Sequence, residues 1–87
     1  MVLIALPNQL DYSRFGFAVS KRIGKAVRRS KLKRQMREAA RLRREQIQAG
    51  WDLLFIARAP INGATYQEIA QSVCSLLKKL DLLKVPD

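Results

Sequence analysis

The segment KRIGKAVRRSKLKRQMREAARLRR, residues 21–44, carries twelve Lys or Arg and a single acid, Glu38. Charge this dense cannot be enclosed, because each unpaired cation taken out of water costs on the order of several kcal/mol. Any fold built from this chain must leave one whole face of the segment in solvent. Residues 25–48 are good helix formers, and Gly50 is placed to terminate a helix. At 100° per residue Leu32, Met36, Ala39, Ala40 and Ile47 share one face. Ser30, Lys33, Arg34, Arg37, Arg41 and Arg44 share a roughly opposite one. The segment reads as an amphipathic helix with a cationic stripe. Its apolar side contains two alanines, which predicts a close seat on a sheet. Arg29 falls on the apolar side of this wheel, and a place near the helix start lets its side chain leave that face.

The rest of the chain supplies the sheet. Val2–Leu6 is a short apolar run closed by the Pro7-Asn8 turn signal. Arg14–Ser20 alternates, with Phe15, Phe17 and Val19 on one side and Gly16, Ala18 and Ser20 on the other, the period of a strand. The small-residue side would admit close packing against a helix or the approach of a backbone or ligand. Trp51–Ala57 is apolar nearly throughout, which suits a strand covered on both faces. Arg58-Ala59-Pro60 ends it and Asn62-Gly63 makes a turn. Thr65 and Glu68 form a capping box, and behind it apolar residues recur at helical spacing to a helix end near Leu83. The order is β-β-α-β-α in a single domain, residues 1–87.

The formal charge of +10 on 87 residues predicts a polyanionic partner, nucleic acid first and an anionic membrane surface second. Solubility alone would not require the charge to be clustered. Cys74 is the only cysteine, which excludes an intramolecular disulfide and a cysteine metal set. No apolar run spans a bilayer, and MVLIAL lacks the flanks of a secretory signal. These features point to a cytoplasmic protein without a membrane partner.

Catalysis by the chain itself looks poor. Its seven carboxylates are scattered and form no metal-carrying pair, and histidine is absent. Cys74 sits among core positions of the last helix and reads as a buried structural thiol. Gly16 and Gly24 are isolated and make no phosphate loop. The sequence offers neither a catalytic residue nor a metal ligand set.

The stretch FAVSKRIGKAVRRSKLKRQMRE resembles the signature of the bacterial ribonuclease P protein subunit. Gly16, Val19, Ser20, Lys21, Arg22, Ile23, Gly24, Ala26, Val27, Arg29, Lys33, Arg34, Arg37 and Glu38 match it, and WDLLFIARAP looks like the family's following strand, with Arg58 matching. The likeness runs from about Arg14 to Leu83. It departs at the family's Arg-Asn-Arg, which is here Arg29-Ser30-Lys31. Serine lacks the amide's paired donor and acceptor, and lysine lacks the planar fork that grips phosphate.

The resemblance implies an α/β two-layer sandwich whose mixed sheet contains a left-handed βαβ crossover, with the family's N-terminal helix missing. It implies a protein subunit that assists Mg²⁺-dependent removal of the 5′ leader of precursor tRNA, the Mg²⁺ being held by a catalytic RNA. The partners would be ribonuclease P RNA and the leader, with no obligate protein partner. Lys21, Arg22, Lys25, Arg29, Ser30, Lys31, Lys33, Arg34, Arg37 and Arg41 are the expected RNA contacts. Phe15, Phe17 and Arg58 are candidates for the leader cleft, although alternation makes the two phenylalanines core residues first. The alternatives are a general RNA-binding or ribosome-associated protein, an inactive shortened homologue, and a protein-only nuclease.

Overall fold

In the computed structural model, residues 1–58 and 63–84 are described. Three strands, β1 (Val2–Pro7), β2 (Arg14–Val19) and β3 (Trp51–Ala57), form one sheet in the order β1-β3-β2. β1 runs antiparallel to β3, and β2 runs parallel to it. Parallel neighbours need a long crossover. It is supplied by α1 (Ala26–Leu42), the cationic segment. A second helix, α2 (Tyr66–Lys79), follows β3. Ala59 and Pro60, expected to end the strand, and Asn62 of the expected turn lie outside the described residues.

Both helices cover the same side of the sheet. On α1, Leu32, Met36, Ala39 and Ala40 are buried, the spacing that marks one helical face. On α2 the buried residues are Ile69, Val73 and Leu77. They close over Leu53, Phe55 and Ala57 of β3, and Phe15, Phe17 and Val19 of β2 pack against this cluster. Phe55, Met36, Leu53, Ile69, Leu77 and Val73 are its largest fully enclosed side chains. Each stabilises the fold by roughly 1.5–3 kcal/mol relative to exposure. The capping box forms as expected, with Glu68 N–H donating to Thr65 Oγ1 and Thr65 N–H to Glu68 Oε1.

Four expectations are corrected. β3 is covered on one face only: Leu54 is 37% exposed, and with Ile4 at 43% and Leu6 at 60% it leaves an open apolar sheet surface. An apolar run cannot by itself distinguish one covered face from two. α1 stops at Leu42 rather than Gln48, and a 3₁₀ turn at Arg44–Gln46 follows. Ile47 is buried because it bridges to Leu83 beyond the helix, and α2 correspondingly stops at Lys79, short of Leu83. Cys74 is half-buried against the core rather than enclosed.

Candidate nucleic-acid interface

The loop between β2 and α1 is built to present cations. Ser20 Oγ accepts from Arg22 N–H and opens a 3₁₀ turn, Lys21–Ile23, which drops Ile23 into the core. Lys21 and Arg22 are thereby turned out to solvent. Gly24 follows at φ 142°, a backbone conformation that strains any other residue, and a Cβ there would stand 3.3 Å from Arg28 Cδ. Arg29 Nη1 donates to the Gly24 carbonyl, so this half-buried side chain ties the loop to the first turn of α1. That contact accounts for an arginine on the apolar side of the wheel.

α1 begins without the usual devices. Lys25 at its N-cap makes no side-chain capping bond, and the first turn holds no acid. Positive residues there oppose the helix dipole, and the unsatisfied N–H groups and the dipole together favour an anion. Lys25, Ser30, Lys31, Lys33, Arg34, Arg37 and Arg41 are all exposed along a rod of about 25 Å. Arg14–Asp52 and Arg41–Glu38 form ion pairs among the described residues. Lys33, Arg34 and Arg37 are not drawn into either. Arg41 is the exception in the expected set: its Nε and Nη2 lie 3.0 and 2.6 Å from the two Glu38 oxygens. Arg41, through its hydrogen bonds first, holds the Glu38 carboxyl below the usual range. Val27, 82% exposed among the cations, offers an apolar contact that charge patterning did not reveal.

The two aromatic candidates face the helices, not the open sheet surface. Phe17 stacks on Phe55, with centroids 5.7 Å apart and planes 11° from parallel. The guanidinium of Arg37 lies 5.8 Å from the Phe17 centroid. Phe15 and Phe17 contribute to a groove of about 490 Å³ between β2 and the second half of α1, with Arg37, Ala40, Arg41 and Arg44 on its other wall. Arg58 is exposed past the end of β3, beside the Ser20–Ala57 backbone bond, and is not among the residues lining that groove. Alternation along β2 explains the split: odd positions turn inward, while Gly16 and Ala18 lie on the open face opposite Leu54 and Ile56. A Cβ at Gly16 would stand 3.2 Å from Leu54 Cδ1. At one end of this face Arg14 Nε and Nη2 each donate at 2.7 Å to Asp52. Hydrogen bonds from Arg14 first, and from Asn8 second, pull the Asp52 carboxyl down to about 2.

Comparison with known proteins decides the lineage. The profile of the family described as Ribonuclease P matches residues 1–81. The chain belongs to the ribonuclease P protein family. The ribonuclease P protein component of Alkaliphilus oremlandii is 40% identical over 83 residues, covering 95% of this chain and 73% of that protein. That of Clostridioides difficile is 42% identical over 83 residues, covering 94% and 73%. The solved RNase P protein of Staphylococcus aureus superposes with a TM-score of 0.84 at 33% identity, covering 93% of this chain and 74% of that one. That of Thermotoga maritima gives 0.82 at 33%, covering 88% and 74%. The ribonuclease P lineage thus accounts for the long signature around α1, and the mixed sheet with two helices is the fold its solved members share.

Proposed function

We propose that this chain is the protein subunit of a ribonuclease P that removes 5′ leaders from precursor tRNA, and that it acts by holding RNA rather than by cleaving it. The observation that carries this reading is the family membership joined to an α1 face whose Lys33, Arg34 and Arg37 stand exposed outside any ion pair among the described residues. Two RNA surfaces brought together repel through their phosphates. A rigid row of cations offsets that repulsion and releases condensed counterions at each contact. Lys21, Arg22, Lys25, Arg29, Ser30, Lys31, Lys33, Arg34 and Arg37 would make the contacts to the catalytic RNA, with Arg41 contributing once it leaves Glu38. The leader would lie on the open sheet face, where Gly16 and Ala18 keep the surface low and Ile4, Leu54 and Ile56 offer apolar ground.

The chain's own groups fit this division of labour. Glu38, Asp52 and Glu68 are held by Arg41, Arg14 and Thr65 respectively, and so are poorly placed to act as bases or metal ligands. Mg²⁺ would be held by the RNA and would supply the hydrolytic chemistry. Among the described residues no helix is long and apolar enough to cross a membrane, and we place the protein in the cytoplasm with its RNA.

The test compares equilibrium binding of the chain to ribonuclease P RNA and to an unrelated structured RNA of equal length, at the same salt. Preferential binding of ribonuclease P RNA, further strengthened for leader-bearing over mature tRNA in the assembled complex, is the expected result. Equal affinity for both RNAs would identify a general RNA-binding protein instead.

A further inference from the structure

The stack Phe55–Phe17–Arg37 runs from the fully enclosed core to the surface. Phe55 is 0% exposed, Phe17 is half-buried upon it, and Arg37 ends the series in solvent. A guanidinium over an aromatic ring can offer a planar cation to another flat π system, and unpaired nucleobases are recognised on arginine planes. The pair sits in the groove between β2 and α1, whose volume of about 490 Å³ lies in the range of roughly 300–1,000 Å³ typical of small-ligand sites. This groove is on the helix side of the sheet, opposite the open face assigned to the leader.

Its charge selects what can enter. Arg37, Arg41 and Arg44 line one wall, and Phe15 and Phe17 the other. Arg41 is engaged by Glu38, while Arg37 and Arg44 take part in no ion pair among the described residues. Ala40 lies between the arginines along the wall, and its single methyl leaves the space open. Aromatic floor, planar cation and further cations at one turn's distance together match a base carrying its phosphate. They match a plain phosphate or an apolar peptide less well, the first leaving the rings unused and the second the charges.

We infer that the β2–α1 groove is a subsite for a single unstacked nucleotide, its base lying on Arg37 beside the edge of the Phe17 ring and its phosphate near Arg41 and Arg44. This rests on the reading of the chain as an RNA-binding subunit and deepens it: α1 grips phosphates along its length, and at its second half it also holds one splayed base. The nucleotide could come from the catalytic RNA or from a precursor strand, and the chemistry recognised is the same.

The experiment titrates the isotopically labelled whole chain with adenosine 5′-monophosphate, and separately with inorganic phosphate, while recording NMR spectra. The nucleotide should shift the Phe15 and Phe17 ring signals and the Arg37 side chain, whereas phosphate should move the arginines alone. Ala40→Phe fills the groove and should abolish the ring shifts, while duplex RNA binding and its salt dependence stay at the native level. Because Ala40 is enclosed and its replacement could unfold the chain, Arg37→Gln is measured in parallel. It should weaken nucleotide binding by roughly tenfold, the loss expected of one base stack. Photo-crosslinking of 5-bromouridine-substituted catalytic RNA, and of equally substituted precursor tRNA, to Phe17 then assigns the source. Nucleotide shifts no larger than those of phosphate, in a chain that still binds duplex RNA, would overturn the subsite and leave the functional reading standing. Loss of duplex binding by the native chain would overturn the reading itself.

Discussion

Arg34→Ala isolates the electrostatic argument. Arg34 is exposed on α1 and belongs to no ion pair among the described residues, so its removal leaves no stranded carboxylate. Alanine is the better helix former, and a surface change of this kind moves stability by no more than about 0.5 kcal/mol. The effect must therefore appear in binding. One phosphate contact contributes about 0.9 to the slope of log affinity against log salt on a duplex-like site. Over a fourfold rise in salt, from about 50 to about 200 mM, that single contact changes affinity roughly 3.5-fold. The variant should bind labelled ribonuclease P RNA more weakly at low salt, and its deficit should shrink by that factor across the series. The assay is fluorescence anisotropy at four salt concentrations, with a thermal melt as control. Native slope and native affinity in a variant that melts normally would remove Arg34 from the interface and refute the reasoning.

Glu38→Gln should steepen the same salt slope by up to about 0.9, because it releases Arg41 for a phosphate; an unchanged slope would leave Arg41 outside the contact surface. The Asp52 carboxyl is depressed in the fold by Arg14 and Asn8 to about 2. Its stabilising contribution is therefore complete above the ordinary aspartate value of about 4 and is lost as pH falls toward the folded value. Urea midpoints measured down the acid range should fall more steeply for the native chain than for Asp52→Asn, and parallel curves would refute the pairing. The Tyr66 hydroxyl is buried with no hydrogen-bond partner among the described residues. Since such a group carries a desolvation penalty of about 1–3 kcal/mol, Tyr66→Phe should be at least as stable as the native chain by chemical denaturation. A loss beyond about 1 kcal/mol would show that the hydroxyl is satisfied.

What the sequence revealed was local in origin. The inward face of α1, the alternation of β2 and the Thr65–Glu68 box each depend on residues within a few positions of one another, and period or pairing exposes them directly. The end of α1 was hidden because its composition stays helical past Leu42, while Ile47 is drawn out of the helix by Leu83, thirty-six positions away. The coverage of β3 was equally hidden, since an apolar strand looks the same whether one or two of its faces are packed. At the interface, exposure of Lys33, Arg34 and Arg37 followed from charge alone. Three features did not: Arg29 anchoring Gly24, Arg41 held by Glu38, and Arg37 laid over Phe17. The Arg41 pair had a sequence signal in its i,i+3 spacing. The Phe17–Arg37 contact had none, because it joins a strand to a helix and exists only once α1 has packed on the sheet.

The central claim is that the chain assists an RNA catalyst and breaks no bond itself. Its direct measurement is the rate of 5′-leader removal from precursor tRNA at limiting Mg²⁺, with ribonuclease P RNA alone, with the chain alone and with both. The account predicts rapid cleavage only in the combined reaction and no product from the chain alone. Cleavage by the purified chain without RNA, or no acceleration of the RNA by a folded chain that binds it, would contradict it.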